Sequence, residues 1–193
     1  MAETRRRGEA LEAAIADAVW AELAESGYAG LTVGAVAERA RTSKAVLYRR
    51  WPGRAALVIA ALTHHAPSTE DVPDTGSLRG DLLALLRAVA AGVSARSIDA
   101  LWGLLAETAR DPELAALVRE QLAELQRSGP IVAVVERAVA RGEVDPARLT
   151  PRLLRLPADL ARSELLVYGE IADAAIVEIV DDVVLPLVGA RPV

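Results

Sequence analysis

Residues 32–53, "TVGAVAERARTSKAVLYRRWPG", predict two short helices joined by a tight turn. Apolar residues recur at helical spacing in "VGAVAERA" and again in "KAVLYRRW", while "RTS" interrupts the pattern between them. A hydroxyl oxygen can accept hydrogen bonds from the free N–H groups at a helix start. We therefore expect Thr32 to cap the first helix and Thr42 or Ser43 to cap the second. The Pro-Gly pair that follows ends the second helix after about two turns.

The second short helix has one side for a core and one side for a partner. Val46 and Leu47 can face the preceding helices, and Trp51 closes the core just beyond them. A small residue on the other side would let the backbone approach a DNA groove, while basic and hydroxyl groups reach phosphates and base edges. The residues on that side are Lys44, Ala45, Tyr48 and Arg49. This arrangement is typical of a helix-turn-helix, although an ordinary three-helix core with a basic surface is the alternative.

Positive charge is concentrated in the same stretch, although the 193-residue chain has a net charge of −5. Residues 1–55 contain nine Lys and Arg against seven Asp and Glu, a net charge of +2, which leaves −7 for the rest of the chain. Six basic residues and no acidic one lie between Arg39 and Arg54, and Lys44 is the only lysine of the protein. A positive patch on an acidic chain favours a polyanionic partner for that patch alone, with a solvated arginine-rich surface as the alternative.

The whole chain predicts helices. Aromatic residues are only 3% and Phe is absent, which favours helices packed through aliphatic side chains. A helical pattern ends at Gly27, longer amphipathic patterns follow the loop-like "APSTEDVPDTGS", and "SGP" at residues 128–130 must kink or break one of them. We predict an all-α protein of about nine helices. Its domains are a helix-turn-helix domain at 1–55 and a larger helical domain at 56–193, connected by a helix at about 54–65.

The residues present argue against most catalytic chemistry. The absence of Cys excludes disulfides, thiolate metal sites and a cysteine nucleophile. His64 and His65 are adjacent and would point about 100° apart in a helix, so no shared metal is expected. A hydrolase built on carboxylates such as Glu107, Asp111 and Glu164 is the enzyme alternative, but no spacing supports a nucleophile, a base and an oxyanion site. We predict no catalytic residue, metal or cofactor. No apolar run reaches about 18 residues, so we expect a cytoplasmic protein that does not enter a membrane.

Residues 27–62, "GYAGLTVGAVAERARTSKAVLYRRWPGRAALVIAAL", resemble the DNA-binding region of TetR-type transcriptional regulators. Several spaced positions match at once, namely Gly-aromatic, Thr, a short helix with Val-Ala, and Leu-Tyr. The resemblance implies an N-terminal three-helix DNA-binding domain, a larger helical domain for ligand binding and dimerisation, and repression that a small molecule relieves. It also implies DNA contacts at Thr32, Ser43, Lys44, Tyr48 and Arg54, and core positions at Leu47 and Trp51.

Three departures from the family pattern concern the choice of bases more than binding itself. Ala45 stands where Gly is frequent, Trp51 where Phe is usual, and Arg49-Arg50 where aromatic or His residues are common. Together, the residues and the resemblance predict a DNA interface made of Thr32, Arg41, Thr42, Ser43, Lys44, Ala45, Tyr48, Arg49, Arg50 and Arg54.

A dimer is expected because one unit of this size grips few phosphates. A twofold dimer would place two recognition helices on half-sites about 34–36 Å apart or a multiple of that distance. The last two amphipathic segments are the predicted interface and would form a four-helix bundle with their symmetry mates, as in similar proteins. The residues concerned are Leu160, Glu164, Val167, Ile176, Ile179, Val180, Val183 and Leu187. The alternative is that these apolar stripes pack only within one chain.

An effector cavity is expected among the middle helices. A lining of Leu, Val and Ala would suit a small apolar molecule, with Trp102 as a large amphipathic side chain and two glutamines as polar groups. The predicted ligand-binding residues are Trp102, Leu105, Gln121, Leu122 and Gln126, each of which could instead be an ordinary core or surface residue. The resulting hypothesis is a homodimeric repressor of a palindromic DNA operator that a small apolar effector releases. A helical protein-interaction scaffold with a basic surface patch is the alternative.

Overall fold

The computed structural model describes residues 2–64, 69, 72–92 and 95–189. Within these residues the chain is 80% helical, with ten helices and no strand, which confirms the all-α prediction. The sequence predicted about nine helices. The structure has one more because "SGP" breaks the long pattern near residue 129 into two helices instead of kinking one.

The helices follow one another along the chain with short connections. They are α1 (Ala2–Gly30), α2 (Val33–Arg39), α3 (Lys44–Arg50), α4 (Arg54–His64), α5 (Leu78–Ala91), α6 (Ala95–Thr108), α7 (Pro112–Ser128), α8 (Pro130–Ala140), α9 (Pro151–Tyr168), α10 (Asp173–Glu178) and α11 (Leu185–Val188). A π-helical segment, Ile179–Val184, joins α10 to α11, so these three pieces form one continuous last helix. A single 3₁₀ turn, Pro146–Arg148, precedes α9.

Several helix starts and ends were predictable from single residues. Gly27 has φ 65° and ψ 177°, outside the helical region, and interrupts α1 where the sequence predicted the end of a helix. Ser77 Oγ accepts a hydrogen bond from the Gly80 N–H at 3.1 Å and caps α5. Asp111 Oδ1 accepts from the N–H groups of the second and third residues of α7 at 3.0 Å each. The interruption at Gly27 agrees with the helix end that the sequence predicted there.

The chain packs as two compact units, Met1–Ala66 with Ser94–Gln121, and Pro67–Val93 with Leu122–Val193. A packing unit is not a functional domain, so the division into domains at residue 55 stays a prediction. In the first unit α1 packs against α2, α4 and α6. Its core is mostly aliphatic and includes the fully buried side chains of Val19, Val36, Leu47, Val58 and Leu114.

The second unit is built from α5, α8, α9 and the last helix. Ile176, Ile179 and Val180 belong to its core, with exposed fractions of 1%, 6% and 0%. The prediction that these three residues lie in a dimer interface is therefore corrected, because a side chain buried in its own chain has no surface left for a partner. For them the alternative, packing within one chain, is what the structure shows.

A buried carboxylate organises the start of the second unit. Asp81 of α5 is fully buried, and its Oδ1 accepts hydrogen bonds from the N–H and the hydroxyl of Thr75 at 2.6 and 2.8 Å. Its Oδ2 accepts from Arg141 Nη2 at 3.1 Å and lies 3.7 Å from Arg137 Nη2. Arg137 also donates to the carbonyl oxygens of residues 72 and 73. The segment before α5 is thus tied to the end of α8 by charged groups.

Candidate nucleic-acid interface

The turn between α2 and α3 is a tight helix end followed at once by a new cap. Arg41 has φ 51°, the left-handed conformation, and its N–H donates to Glu38 O at 3.0 Å. The Thr42 N–H reaches back to Ala37 O at 2.9 Å. This pair of hydrogen bonds is the Schellman motif, in which glycine normally occupies the left-handed position. The sequence predicted the turn but not that Arg41 occupies its left-handed position.

Hydroxyl caps start both short helices. Thr32 Oγ1 accepts from the Ala35 N–H at 3.1 Å, which confirms the predicted cap of α2. Ser43 Oγ accepts from the Val46 N–H at 3.4 Å, so Ser43 and not Thr42 caps α3. Thr32 and Ser43 are exposed, while Thr42 is half-buried.

The two sides of α3 are those that the spacing predicts. Leu47 is fully buried in the core of the first unit, and Trp51 packs against that core from just beyond the helix end. The other side is open to solvent, with Tyr48 exposed by 54%. The exposed residues of this side are Lys44, Ala45, Tyr48 and Arg49. We refer to these four residues as the α3 face; their contact with DNA stays a prediction.

Three of the six clustered basic residues are engaged within the first unit. The Arg39 guanidinium donates to Glu22 Oε1 at 2.9 Å and to Glu25 Oε2 at 2.6 Å, both on α1, and these bonds raise the pKa of Arg39. Arg50 pairs with Glu12, also on α1. Arg50 was predicted at the DNA interface; the structure shows it paired with Glu12 of α1, and its contact with DNA stays a prediction.

Arg54 is the third engaged residue. Its guanidinium lies 4.2 Å from the centre of the Tyr28 ring and donates to Ala29 O at 3.2 Å. Burial raises the pKa of the Tyr28 hydroxyl, and the hydrogen bond with Arg54 partly opposes that rise. Arg54 therefore joins the start of α4 to the end of α1, and the predicted DNA contact of Arg54 stays a prediction.

The other three basic residues are available for a partner. Arg41, Lys44 and Arg49 form no ion pair with any carboxylate in the described part of the chain. Arg41 lies in the turn, and Lys44 and Arg49 lie on the α3 face. Among the six clustered basic residues, those without an ionic partner in the described part of the chain are therefore the ones in the turn and on the α3 face. Sequence inspection cannot separate these three from Arg39, Arg50 and Arg54, because their partners lie 14–38 residues away.

The predicted effector residues differ in exposure, and their role stays a prediction. Trp102 of α6 is 50% exposed, and Leu105, Gln121 and Leu122 are half-buried, while the side chain of Gln126 lies outside the described residues. A cleft of about 510 Å³ does lie in the first unit, between α1, the end of α3 and α4. None of the five predicted residues lines it.

The remaining predicted dimer residues keep some surface. Val167 and Leu187 are 66% and 46% exposed, and Leu160, Glu164 and Val183 are half-buried. An apolar side chain at these exposures is compatible with a partner, and this part of the interface stays a prediction.

Comparison with known proteins identifies the family. Residues 15–71 match the family described as bacterial regulatory proteins, tetR family, and residues 72–183 match the tetracyclin repressor-like C-terminal domain. The chain belongs to the TetR family of transcriptional regulators. The resemblance drawn from residues 27–62 is confirmed, and the match to residues 72–183 extends it over most of the chain.

Relatives and solved structures agree with this assignment. The chain is 36% identical over 165 residues, 85% of this chain and 81% of the relative, to a helix-turn-helix transcriptional regulator of Mycobacterium tuberculosis. It is 36% identical over 194 residues, 96% and 98% of the two chains, to the DNA-binding transcriptional repressor TetR of Mycobacteroides abscessus.

Among solved structures, the TetR family transcription regulator SCO0332 superposes with a TM-score of 0.69 at 27% identity and covers 94% of this chain and 99% of its own. Salmonella enterica GusR superposes with a TM-score of 0.65 over 93% and 96% of the two chains, and at 18% identity it shows the fold alone. This TetR-family protein is thus a helix-turn-helix transcriptional regulator. No helix in the described residues is long and apolar enough to cross a bilayer.

Proposed function

We propose that this TetR-family regulator is a homodimeric repressor that binds a palindromic DNA operator in the cytoplasm and is released by a small apolar effector. The observation that carries the DNA-binding part is the sorting of charge around the helix-turn-helix. Arg39, Arg50 and Arg54 are engaged internally, while Lys44 and Arg49 stand without an ionic partner on the α3 face. Lys44 and Arg49 would therefore form their first charged contacts with a phosphate or a base edge of bound DNA.

The α3 face also has the composition that a DNA groove requires. Ala45 lies between the two basic residues and lets the helix backbone approach closely. Lys44 and Arg49 offer donors to phosphates and guanine edges, and the Tyr48 hydroxyl can donate to a phosphate. With one short helix, few bases can be read. A second copy of α3 on a symmetric half-site would double the contacts.

The proposed repression is supported by family membership, and the proposed effector release by the thermodynamic coupling of two binding sites. One relative of 36% identity is named a transcriptional repressor, which supports the same role here. In the proposed mechanism, effector bound in the C-terminal part tilts α4 and changes the separation of the two α3 helices. Binding of effector and of operator then oppose each other by the same coupling free energy in both directions.

The test is a fluorescence-anisotropy titration against DNA from upstream of the protein's own coding region, at several salt concentrations. Lys44→Ala and Arg49→Ala should each weaken binding and lower the slope of log K against log salt by about 1 for each phosphate that the variant no longer binds. Arg152→Ala is the matched control, because Arg152 is an exposed arginine of α9 that lies far along the chain from the α3 face.

Tight, salt-sensitive binding that only the α3 variants lose would support the proposal. Selection of operators from the whole genome follows if the upstream region shows no preference over random DNA. Failure of both experiments, or binding that does not depend on salt, would refute the DNA contact and favour the helical scaffold.

A further inference from the structure

Gly34, the second residue of α2, lies directly under the Lys44 side chain. A β-carbon at Gly34 would be 2.8 Å from Lys44 Cε, a distance that real β-carbons essentially never show, and 3.0 Å from Lys44 Nζ, which is also an unusually tight contact. The same point is 3.7 Å from Thr32 Oγ1. The end of the Lys44 side chain therefore occupies the space that any side chain at position 34 would need, and the Lys44 ammonium and the Thr32 hydroxyl both lie within 4 Å of that point.

The backbone itself does not require glycine at this position. Gly34 lies inside α2 and is not among the six glycines of the described residues that have positive φ. Inside a helix, glycine is less favourable than alanine, so its presence in α2 weakens the helix. The close neighbours of the missing side chain are the Lys44 tail and, further away, Thr32. The space, and not the conformation, explains the glycine.

We propose that Gly34 is a positioning residue for DNA binding, because the space it leaves directs the Lys44 ammonium across the start of α2 to lie beside Thr32. This inference rests on the proposed DNA-binding function. A free lysine side chain samples many rotamers, and ordering it on a phosphate costs free energy. A lysine already held against Gly34 loses less freedom on binding. It also brings its charge to a hydroxyl that can contact the same DNA backbone.

Gly34→Ala separates this role from folding. The group that the new methyl displaces is the far end of a flexible side chain, so we expect the folded state to be as stable as the wild type or more stable. DNA affinity, in contrast, should fall about tenfold, the size of one charge-assisted hydrogen bond. Thermal unfolding of both proteins verifies that the variant folds.

A double-mutant cycle tests whether Gly34 acts through Lys44. If it does, Gly34→Ala weakens DNA binding in the wild type and has no further effect when Lys44 is already alanine. Equal weakening in both backgrounds would mean that position 34 acts by another route and would overturn the proposal. Wild-type affinity and salt slope in Gly34→Ala would overturn it as well.

The proximity of Lys44 to Gly34 can be measured without DNA because Lys44 is the only lysine. A sample labelled with ¹³C-lysine gives a single set of lysine signals, and we expect a nuclear Overhauser effect between the Lys44 ε-protons and the Gly34 α-protons. This signal should disappear in Gly34→Ala together with increased mobility of the lysine side chain. Its absence in the wild type refutes the positioning role. Its presence in a protein that binds no DNA refutes the proposed function instead.

Discussion

Replacing Asp81 by alanine tests how strongly a buried carboxylate holds the second unit together. The side chain is fully buried and accepts two hydrogen bonds from Thr75, at 2.6 and 2.8 Å, and one from Arg141, at 3.1 Å. Arg137 lies 3.7 Å away as a second cation. The substitution removes the only carboxylate that faces both guanidinium groups within the described residues.

The expected loss of stability is large. Removing one partner of a buried ion pair costs about 3–5 kcal/mol, because the remaining charge is left without compensation. The side chains of Arg137 and Arg141 are 32% and 26% exposed, so water relieves part of that penalty, and Arg141 keeps its ion pairs with Asp74 and Glu143. We therefore expect a loss of about 3 kcal/mol, at the lower end of that range. This is a large part of the roughly 5–15 kcal/mol by which a domain is stable.

Asp74 provides the matched control. It pairs with the same Arg141 at 3.4 Å, but its side chain is 63% exposed. Asp74→Ala should therefore cost less than about 1 kcal/mol, as is usual for a surface ion pair. Urea unfolding followed by circular dichroism gives both values by linear extrapolation. Equal losses for the two variants would refute the argument that burial makes Asp81 important.

Three further predictions concern single side chains. Arg41→Gly should raise the free energy of unfolding by about 1 kcal/mol in urea melts, because glycine adopts the left-handed conformation without strain. The same variant should bind DNA more weakly in anisotropy titrations, because a positive charge is removed. The hydrogen bond from Arg79 lowers the pKa of Asp181, so the stability from this pair is present at neutral pH and is lost as the pH falls through the lowered value. Arg79→Gln should raise the Asp181 pKa toward 3.8 in an NMR titration, and an unchanged pKa would exclude Arg79 as the cause. Arg49→Ala should lower the salt slope of DNA binding, whereas Arg50→Ala should change it less, since Arg50 is paired to α1; equal slopes would contradict the assignment.

The local features of the helix-turn-helix could be read from sequence because they depend on neighbouring residues. A cap involves residues three positions apart, and the side of α3 that a residue occupies follows from the helical period. Thr32, Ser43 and Leu47 were therefore placed correctly. The position of Lys44 over Gly34 depends on the packing of two helices, which no local pattern contains.

Features that depend on distant residues were not predictable. The spacing of Ile176, Ile179 and Val180 shows an apolar stripe but not whether that stripe meets its own chain or a partner. The π-helical segment is also invisible in the sequence, because the pattern of apolar residues there fits an ordinary helix. The pairing of Arg50 with Glu12 required the packing of α1 against the helix-turn-helix, 38 residues away along the chain.

The carboxylates of α1 bear on the rate at which the protein would meet DNA in the productive orientation. Glu12, Glu22 and Glu25 neutralise Arg50 and Arg39, and the rest of the chain beyond residue 55 has a net charge of −7. In the proposed function, a phosphate backbone would therefore be attracted by the α3 face and repelled by the net negative charge of the rest of the chain. The electrostatic field of the protein would orient the DNA while the two are still separated by several ångströms of water. Fewer collisions would then occur in an unproductive orientation. If the proposed DNA contact holds, this acidic regulator would search DNA with a high proportion of productive approaches and would bind weakly to sites that do not fit.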